Sequence, residues 1–269
     1  MSSASFSQLA EFLQTRSGLV LTPDKMYLVE TRLGPLMKRE GLPDLSALVG
    51  RVKAALTSPI ANEVVELMTT NETLFFRDGK PFEHLKEKVW PRMAATRGPS
   101  GTIRVWSAAC SSGQEAYSVA MSALDNAAVL GGCRVEILGT DIARDVLKRA
   151  EQGRYSQFEV QRGLPIAMLM RHFRKEGADW QVKEPVRAMV RWREWNLLQS
   201  PAPLGRFDVV FLRNVLIYFD QPTKARVLDQ IASVLAPDGV LYLGGAETVL
   251  GVTNRFAPLD GVRSAYTLA

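Results

Sequence analysis

The sequence predicts an α/β protein: a mainly parallel sheet, preceded by an all-helical segment and interrupted by a small antiparallel β insertion. Three observations carry that expectation. Residues 1–75 show helical periodicity and no strand signal. From about residue 100, short β-type runs alternate with helical stretches, the pattern of a parallel sheet with crossover helices. Between about 155 and 195 that alternation fails.

Taken in order, Phe6, Leu9, Ala10 and Leu13 fall on one face of a first helix. Thr22-Pro23 reads as a cap followed by a first-turn proline, and Met26, Val29, Leu33 and Met37 form the next apolar stripe. Gly34-Pro35 interrupts that stripe and predicts a kink. Asp44 caps a third helix, and Ser58-Pro59 opens a fourth through Met68. Strands are expected at Thr102–Ser107, Val135–Gly139, Phe207–Leu212 and Val240–Gly244, with a last edge strand at Ala265–Leu268. Helices are expected at Glu115–Leu124, Ile142–Gln152 and Thr223–Leu235. Trp180–Val182 and Val186–Trp195 read as antiparallel strands of the insertion, with Pro185 at a turn or edge. Arg97–Gly101 is the best linker candidate. These signals divide the chain into a helical domain over 1–75 and an α/β domain over 76–269. The second includes a linker to about 101 and a β subdomain at about 155–195.

Composition narrows the chemistry. The chain has 269 residues, 46% of them apolar, with two cysteines and two histidines. Zinc sites and Ser-His or Cys-His catalytic sites draw on residues that are scarce here, so no metal is expected. Two cysteines without a repeat pattern fit a reducing cytoplasm. No run approaches 18 apolar residues and the start shows no basic-then-apolar leader, so the expected location is cytoplasmic, without membrane insertion. Net charge is +5, and the first 75 residues carry seven basic and eight acidic side chains, so the excess lies in the remainder. That balance fits an acidic partner or an ordinary soluble surface.

Three constellations carry chemistry. In Ser107-Ala-Ala-Cys-Ser-Ser-Gly113-Gln-Glu115, small residues in a strand-to-helix turn let the backbone approach a ligand. Asp141, ending the next strand, is placed to accept hydrogen bonds from ribose hydroxyls or to cap the following helix. Together they point to a nucleoside cofactor at the sheet's carboxyl edge. The glycine fingerprint of a dehydrogenase is missing. Thr69-Thr-Asn71-Glu-Thr73-Leu-Phe-Phe-Arg77-Asp78 interrupts an apolar stretch with polar groups, and Leu212-Arg213-Asn214-Val-Leu-Ile-Tyr218-Phe219 ends a strand in Arg-Asn.

In this order the three segments closely resemble the chemotaxis receptor methyltransferases, the CheR family, over nearly the whole chain. The resemblance implies a Rossmann-like methyltransferase sheet with an N-terminal all-α domain and a β subdomain. It implies S-adenosylmethionine as cofactor, S-adenosylhomocysteine as product, and glutamate side chains on chemoreceptor cytoplasmic helices as substrate, in sensory adaptation. By motif, Asn71, Thr73 and Arg77 would contact the cofactor, Glu115 its amino group and Asp141 its ribose. Asn196 and Leu197 would flank the adenine, Arg213 and Asn214 would line the cleft, and Tyr218 would face the transferring methyl. Arg77 and Tyr218 are the expected catalytic pair. Gln114, Ala116 and Gly245-Ala246 depart from the family's common pattern.

The implied partner is the receptor's helical bundle, contacted by the helical domain of a monomeric enzyme recruited to membrane-embedded receptor arrays. No nucleic acid is expected. Lys25, Arg32 and Arg39 recur every seven residues and predict a basic stripe for such a partner or a solvated face. The short segment Phe173–Trp180, with one glycine, suggests an enzyme that needs no C-terminal receptor pentapeptide as a tether. A methyltransferase acting on RNA and a non-catalytic receptor adaptor remain the alternatives.

Overall fold

A computed structural model describes residues 2–269. The chain forms two compact units, Met1–Thr70 with Tyr218–Thr223, and Asn71–Ile217 with Lys224–Ala269.

The first unit contains α1 (Ser3–Ser17), α2 (Met26–Arg39), α3 (Leu45–Ala54) and α4 (Pro59–Met68). Their starts follow from side-chain oxygens that accept otherwise unpaired backbone N–H groups. Ser2 accepts from Ser5, Asp44 from Ala47 and Ser58 from Ala61. Thr22 makes no side-chain cap; Pro23–Lys25 is a single 3-10 turn that leads into α2. The helix runs on through Pro35 to Arg39. Leu9, Leu13, Val29, Leu33, Leu48 and Val64 are fully buried, the apolar stripes that the spacing predicts.

Lys25, Arg32 and Arg39 each have a partner close by. Arg32 donates to the carbonyls of Met68 and Thr69, each at 2.9 Å, and caps the end of α4. A cation there meets the negative end of the helix dipole. Arg39 forms a two-pronged pair with Glu63 at 2.8 and 2.7 Å, and Lys25 pairs with Asp24. Tyr218–Thr223 joins this unit through Val20 N–H to the Tyr218 carbonyl (2.9 Å) and Gln14 to Asp220 (2.8 Å).

The second unit opens with a loop over 71–79, then α5 (Lys80–His84), a π turn (Leu85–Val89) and α6 (Trp90–Arg97). Next come β1 (Thr102–Ala108), α7 (Gln114–Asp125), α8 (Ala127–Leu130), β2 (Arg134–Asp141) and α9 (Arg144–Gln152). The insertion holds β3 (Arg154–Ser156), α10 (Gln157–Gln161), α11 (Ile166–His172), β4 (Phe173–Glu176), β5 (Asp179–Val182) and α12 (Glu184–Arg187). The chain then returns through β6 (Val190–Glu194), β7 (Phe207–Leu212), α13 (Gln221–Val234), β8 (Leu235–Leu243), β9 (Phe256–Pro258) and β10 (Ala265–Leu268).

Seven strands form one sheet in the order β6-β2-β1-β7-β8-β10-β9. The first five run parallel, and β10 is antiparallel to both β8 and β9. β7 sits at the centre with every residue buried, as a parallel strand covered on both faces must be. Phe75 is fully buried and meets Tyr155 and Phe173 edge-on at centroid distances of 4.9 and 5.5 Å. That contact inserts the 71–79 loop into the core.

Two expectations are corrected. Val186–Trp195 is not an antiparallel strand of the insertion. Pro185 lies in the first turn of α12, where a missing N–H is harmless. β6 then joins the main sheet parallel to β2, with Trp192 packed on Gly139, where a side chain would collide with the indole ring. The small sheet is β3-β5-β4 instead. Ala265–Leu268 is flanked on both sides, and Phe256–Pro258 forms the edge, a position that tolerates Pro258.

Arg97 marks no boundary between units. Its guanidinium is held by Asp208 (2.5 Å) and Asp238 (2.7 Å) at the amino edge of the same sheet. The Arg97 hydrogen bond, reinforced by its charge and that of Arg92, holds the Asp238 carboxyl below its ordinary value. A depressed carboxyl pKa contributes stability above the unfolded value near 3.8, and that contribution fades as pH falls through the folded value. Asp238→Asn should therefore lower the urea midpoint at pH 7, and the gap from the parent should narrow below pH of about 4. A gap constant from pH 7 to 3 would show that the charge contributes nothing.

Candidate functional site

The parallel strands end in a row of polar groups at one edge of the sheet. In parallel sheets ligands bind beyond the carboxyl ends of the strands. After β1 the chain makes a tight turn over Ala109–Gly113. Ala109 (φ 61°) and Ser111 (φ 51°) adopt the left-handed conformation, which costs an L residue roughly 1–2 kcal/mol. Gly113 (φ 92°) closes the turn, where a Cβ would lie 2.8 Å from both Ala150 and Trp192.

Asp141, at the end of β2, holds this turn in place. Its Oδ2 accepts from Ser111 N–H at 2.8 Å, and its Oδ1 accepts from Ala143 N–H at 3.0 Å. The N-cap of α9 is Ala143, so Asp141 braces the strand end without capping that helix. Ser111 Oγ–H donates to the Asn71 carbonyl at 2.7 Å, which ties the 71–79 loop to the same turn.

Glu115 stands in the first turn of α7 and is buried. Ser107 donates to one carboxylate oxygen at 2.7 Å, and Arg213 to the other at 3.0 Å. Arg213, the residue after β7, has a side chain only 1% exposed. It also donates to the Asp78 carboxylate at 2.6 Å and to the Arg77 carbonyl at 2.9 Å. Among the described residues its Nε–H has no acceptor. Phe76 (φ 49°) and Asp78 (φ 68°) flank Arg77 in left-handed conformations. Arg77 itself is partly exposed and donates to the Glu72 carbonyl at 3.1 Å.

Cys110 reports on the field between these groups. Burial first, and then the Asp141 and Glu115 carboxylates, push its thiol well above the ordinary range. It stays protonated and is no nucleophile. Neither histidine reaches the edge as a free base. His84 is hydrogen-bonded to Tyr242 at 2.7 Å, and His172 to Asp125 at 2.9 Å.

Beyond β6, Trp195 N–H donates to the Asp141 carbonyl at 2.9 Å, which brings Asn196 and Leu197 to the Asp141 end of the edge. Asn196 Oδ1 accepts from Leu198 N–H at 3.0 Å. Thr73 lies half-buried in the 71–79 loop. The structure thus brings Asn71, Thr73, Arg77, Glu115, Asp141, Asn196, Leu197, Arg213 and Asn214 into one unit. Tyr218 groups with the helical unit instead.

Sequence reasoning noted the departure at Gly245-Ala246 but assigned no role to Glu247, the next residue. In the structure its buried carboxylate gathers four backbone N–H groups: Asn214 (2.7 Å), Val215 (2.9 Å), Ile217 (3.3 Å) and Gly244 (2.7 Å). It fixes the turn after β7, including Asn214 at φ 58°. At Gly244 a Cβ would meet Asn214 Nδ2 at 2.6 Å and Glu247 Oε2 at 2.8 Å. A glutamate shortly after a strand was the only signal for this.

As hydrogen-bonding groups, the edge combines two buried carboxylates that accept, a small-residue turn and polar loop groups. That set fits a ligand with a ribose diol at one end and an ammonium at the other.

Comparison with known proteins agrees with this geometry. Residues 4–69 match the CheR methyltransferase all-alpha domain, and residues 71–264 match the CheR methyltransferase SAM binding domain. Chemotaxis protein methyltransferase Cher2 of Pseudomonas putida is 42% identical over 93% of this chain and 92% of its own length. Chemotaxis protein methyltransferase 1 of Pseudomonas aeruginosa is 42% identical over 94% and 93%. The chemotaxis protein methyltransferase of Escherichia coli is 32% identical over 95% and 88%. The chain belongs to the CheR methyltransferase family and is an S-adenosylmethionine-dependent methyltransferase.

Proposed function

We propose that this enzyme methylates glutamate side chains on the cytoplasmic helices of chemoreceptors, giving glutamate methyl esters and S-adenosylhomocysteine in sensory adaptation. One observation supports that substrate best: both histidines are already hydrogen-bonded, His84 to Tyr242 and His172 to Asp125, and the Cys110 thiol is held protonated. Such a site offers no strong general base. A glutamate carboxylate needs none, because with a pKa of about 4.3 it is already ionised at neutral pH. The alternative of an RNA substrate and that of a non-catalytic adaptor find no comparable support in these residues.

When bound, S-adenosylmethionine supplies an activated methyl on a sulfonium. The residues that would hold it are those carried by the motifs. Asp141 would accept from the ribose hydroxyls, Asn196 and Leu197 would flank the adenine, and Glu115 would take the ammonium. Asn71, Thr73, Arg213 and Asn214 would complete the wall. Arg77 would orient the incoming carboxylate, with Tyr218 against the methyl. An anionic nucleophile and a cationic donor lose charge together in the transition state. Rate enhancement then rests on alignment and exclusion of water more than on charge stabilisation.

The helical domain, which the sequence reading ran to residue 75 and which ends at Thr70, would contact the receptor bundle of a monomeric enzyme recruited to membrane arrays. Among the described residues no helix is long and apolar enough to cross a membrane. β4 and β5 are joined by the two-residue turn Gly177-Ala178, and Glu176 pairs directly with Asp179. A hairpin this tight supports docking without a receptor pentapeptide.

Three measurements test these assignments. Asp141→Ala should weaken S-adenosylhomocysteine binding about 10- to 150-fold, the loss of a hydrogen bond to a charged group. Unchanged affinity by calorimetry in a folded variant would remove Asp141 from the site. Arg77→Ala and Tyr218→Phe should lower methyl transfer to receptor fragments more than cofactor affinity; transfer at the parent rate would refute their roles. A receptor C-terminal pentapeptide should show no micromolar binding in a titration, and a micromolar isotherm would sink tether independence.

A further inference from the structure

The buried cluster at the carboxyl edge is unequal in charge. Arg213 contributes one positive charge, and Glu115 and Asp78 contribute one negative charge each. Arg213 and Glu115 are buried, with side-chain exposures of 1% and 11%, whereas Asp78 is 50% exposed. The remaining contacts of the cluster, Ser107 Oγ–H to Glu115 and Arg213 to the Arg77 carbonyl, add no charge.

A Glu115–Arg213 pair alone would be neutral. A cation approaching Glu115 would then face a carboxylate already compensated and a guanidinium that repels it. Asp78 changes this. It engages Arg213 from the other side at 2.6 Å and shares its charge, so the cluster keeps one net negative charge. Each carboxylate oxygen can accept two hydrogen bonds, so Glu115 retains acceptor capacity beside Ser107 and Arg213.

We propose that Asp78 is an affinity-determining residue for the cofactor's amino-acid end. It acts through Arg213 to leave Glu115 negative for the ammonium. Asp78 is a positioning residue that need not touch the cofactor. The proposal rests on the reading that Glu115 receives the ammonium.

The test separates charge from shape and the amino-acid end from the nucleoside end. Asp78→Asn keeps an oxygen acceptor for Arg213 and removes only the charge. Affinities for S-adenosylhomocysteine and for 5′-methylthioadenosine, which lacks the ammonium and carboxylate, are measured by calorimetry. Asp78→Asn should weaken S-adenosylhomocysteine about tenfold and leave 5′-methylthioadenosine within about twofold. Asp78→Glu should restore most of the loss. The defect should also shrink at high salt, because Asp78 is half exposed and screened. Unchanged S-adenosylhomocysteine affinity in Asp78→Asn, or equal weakening of both ligands, overturns the proposal. Glu115→Gln keeps the two outcomes apart. If it weakens S-adenosylhomocysteine selectively while Asp78→Asn does not, Glu115 holds the ammonium and Asp78 is irrelevant. If Glu115→Gln weakens neither ligand, the ammonium reading fails and the proposal falls with it.

Discussion

A guanidinium with a side chain 1% exposed must meet opposite charge at contact distance, and Arg213 makes the rest of the site depend on that requirement. Desolvating a charge costs several kcal/mol unless hydrogen-bonded partners offset it. Arg213, at the end of β7, finds its partners on two other pieces of chain: Glu115 on α7, and Asp78 with the Arg77 carbonyl in the 71–79 loop. Those pieces are 98 and 135 residues away in sequence. Folding this edge therefore means bringing all three together at once. Removing Glu115 would take from Arg213 its one buried counter-charge, and removing Arg213 would leave the Glu115 carboxylate buried without a cation.

The backbone at this edge is equally constrained. Phe76, Asp78, Ala109, Ser111 and Asn214 all hold positive φ without being glycine. Residues in such conformations persist only where surrounding contacts over-determine them. Here carboxylates do much of that holding. Asp141 pins Ser111, Arg213 pins Asp78, and Glu247 collects the N–H groups around Asn214. Backbone amides bonded to a fixed carboxylate cannot relax when charge changes nearby. Alignment of the reacting atoms, the main catalytic resource when charges cancel in the transition state, needs that stiffness.

Much of this was legible in the sequence because the signals were local. Strand-helix alternation gave the sheet, and Asp44 and Ser58 announced their helices by caps. The polar residues at strand ends could only fall on one edge. What escaped depended on distant partners. Glu247 acts through backbone amides, which carry no residue identity to read. The Val186–Trp195 run has the composition of a strand, but whether it pairs in the insertion or the main sheet depends on Trp192 finding Gly139. The spacing of Lys25, Arg32 and Arg39 left open a basic stripe for a partner or a solvated face. Only the fold reveals that the acceptors of Arg32 and Arg39 are the end of α4 and Glu63.

The two edges of the sheet show how similar chemistry is turned to different ends. At the amino edge, Asp208 and Asp238 are met by Arg97, and the Arg92 charge also falls on Asp238. There too one guanidinium is shared by two carboxylates, and the cluster joins α6 to β7 and β8. At the carboxyl edge, two carboxylates share one buried guanidinium, and the small-residue turn beside them keeps side-chain bulk away. The same parallel sheet therefore ties its helices at one end and presents a turn of small residues at the other, and the difference lies in what surrounds Arg97 and Arg213, not in their charge count.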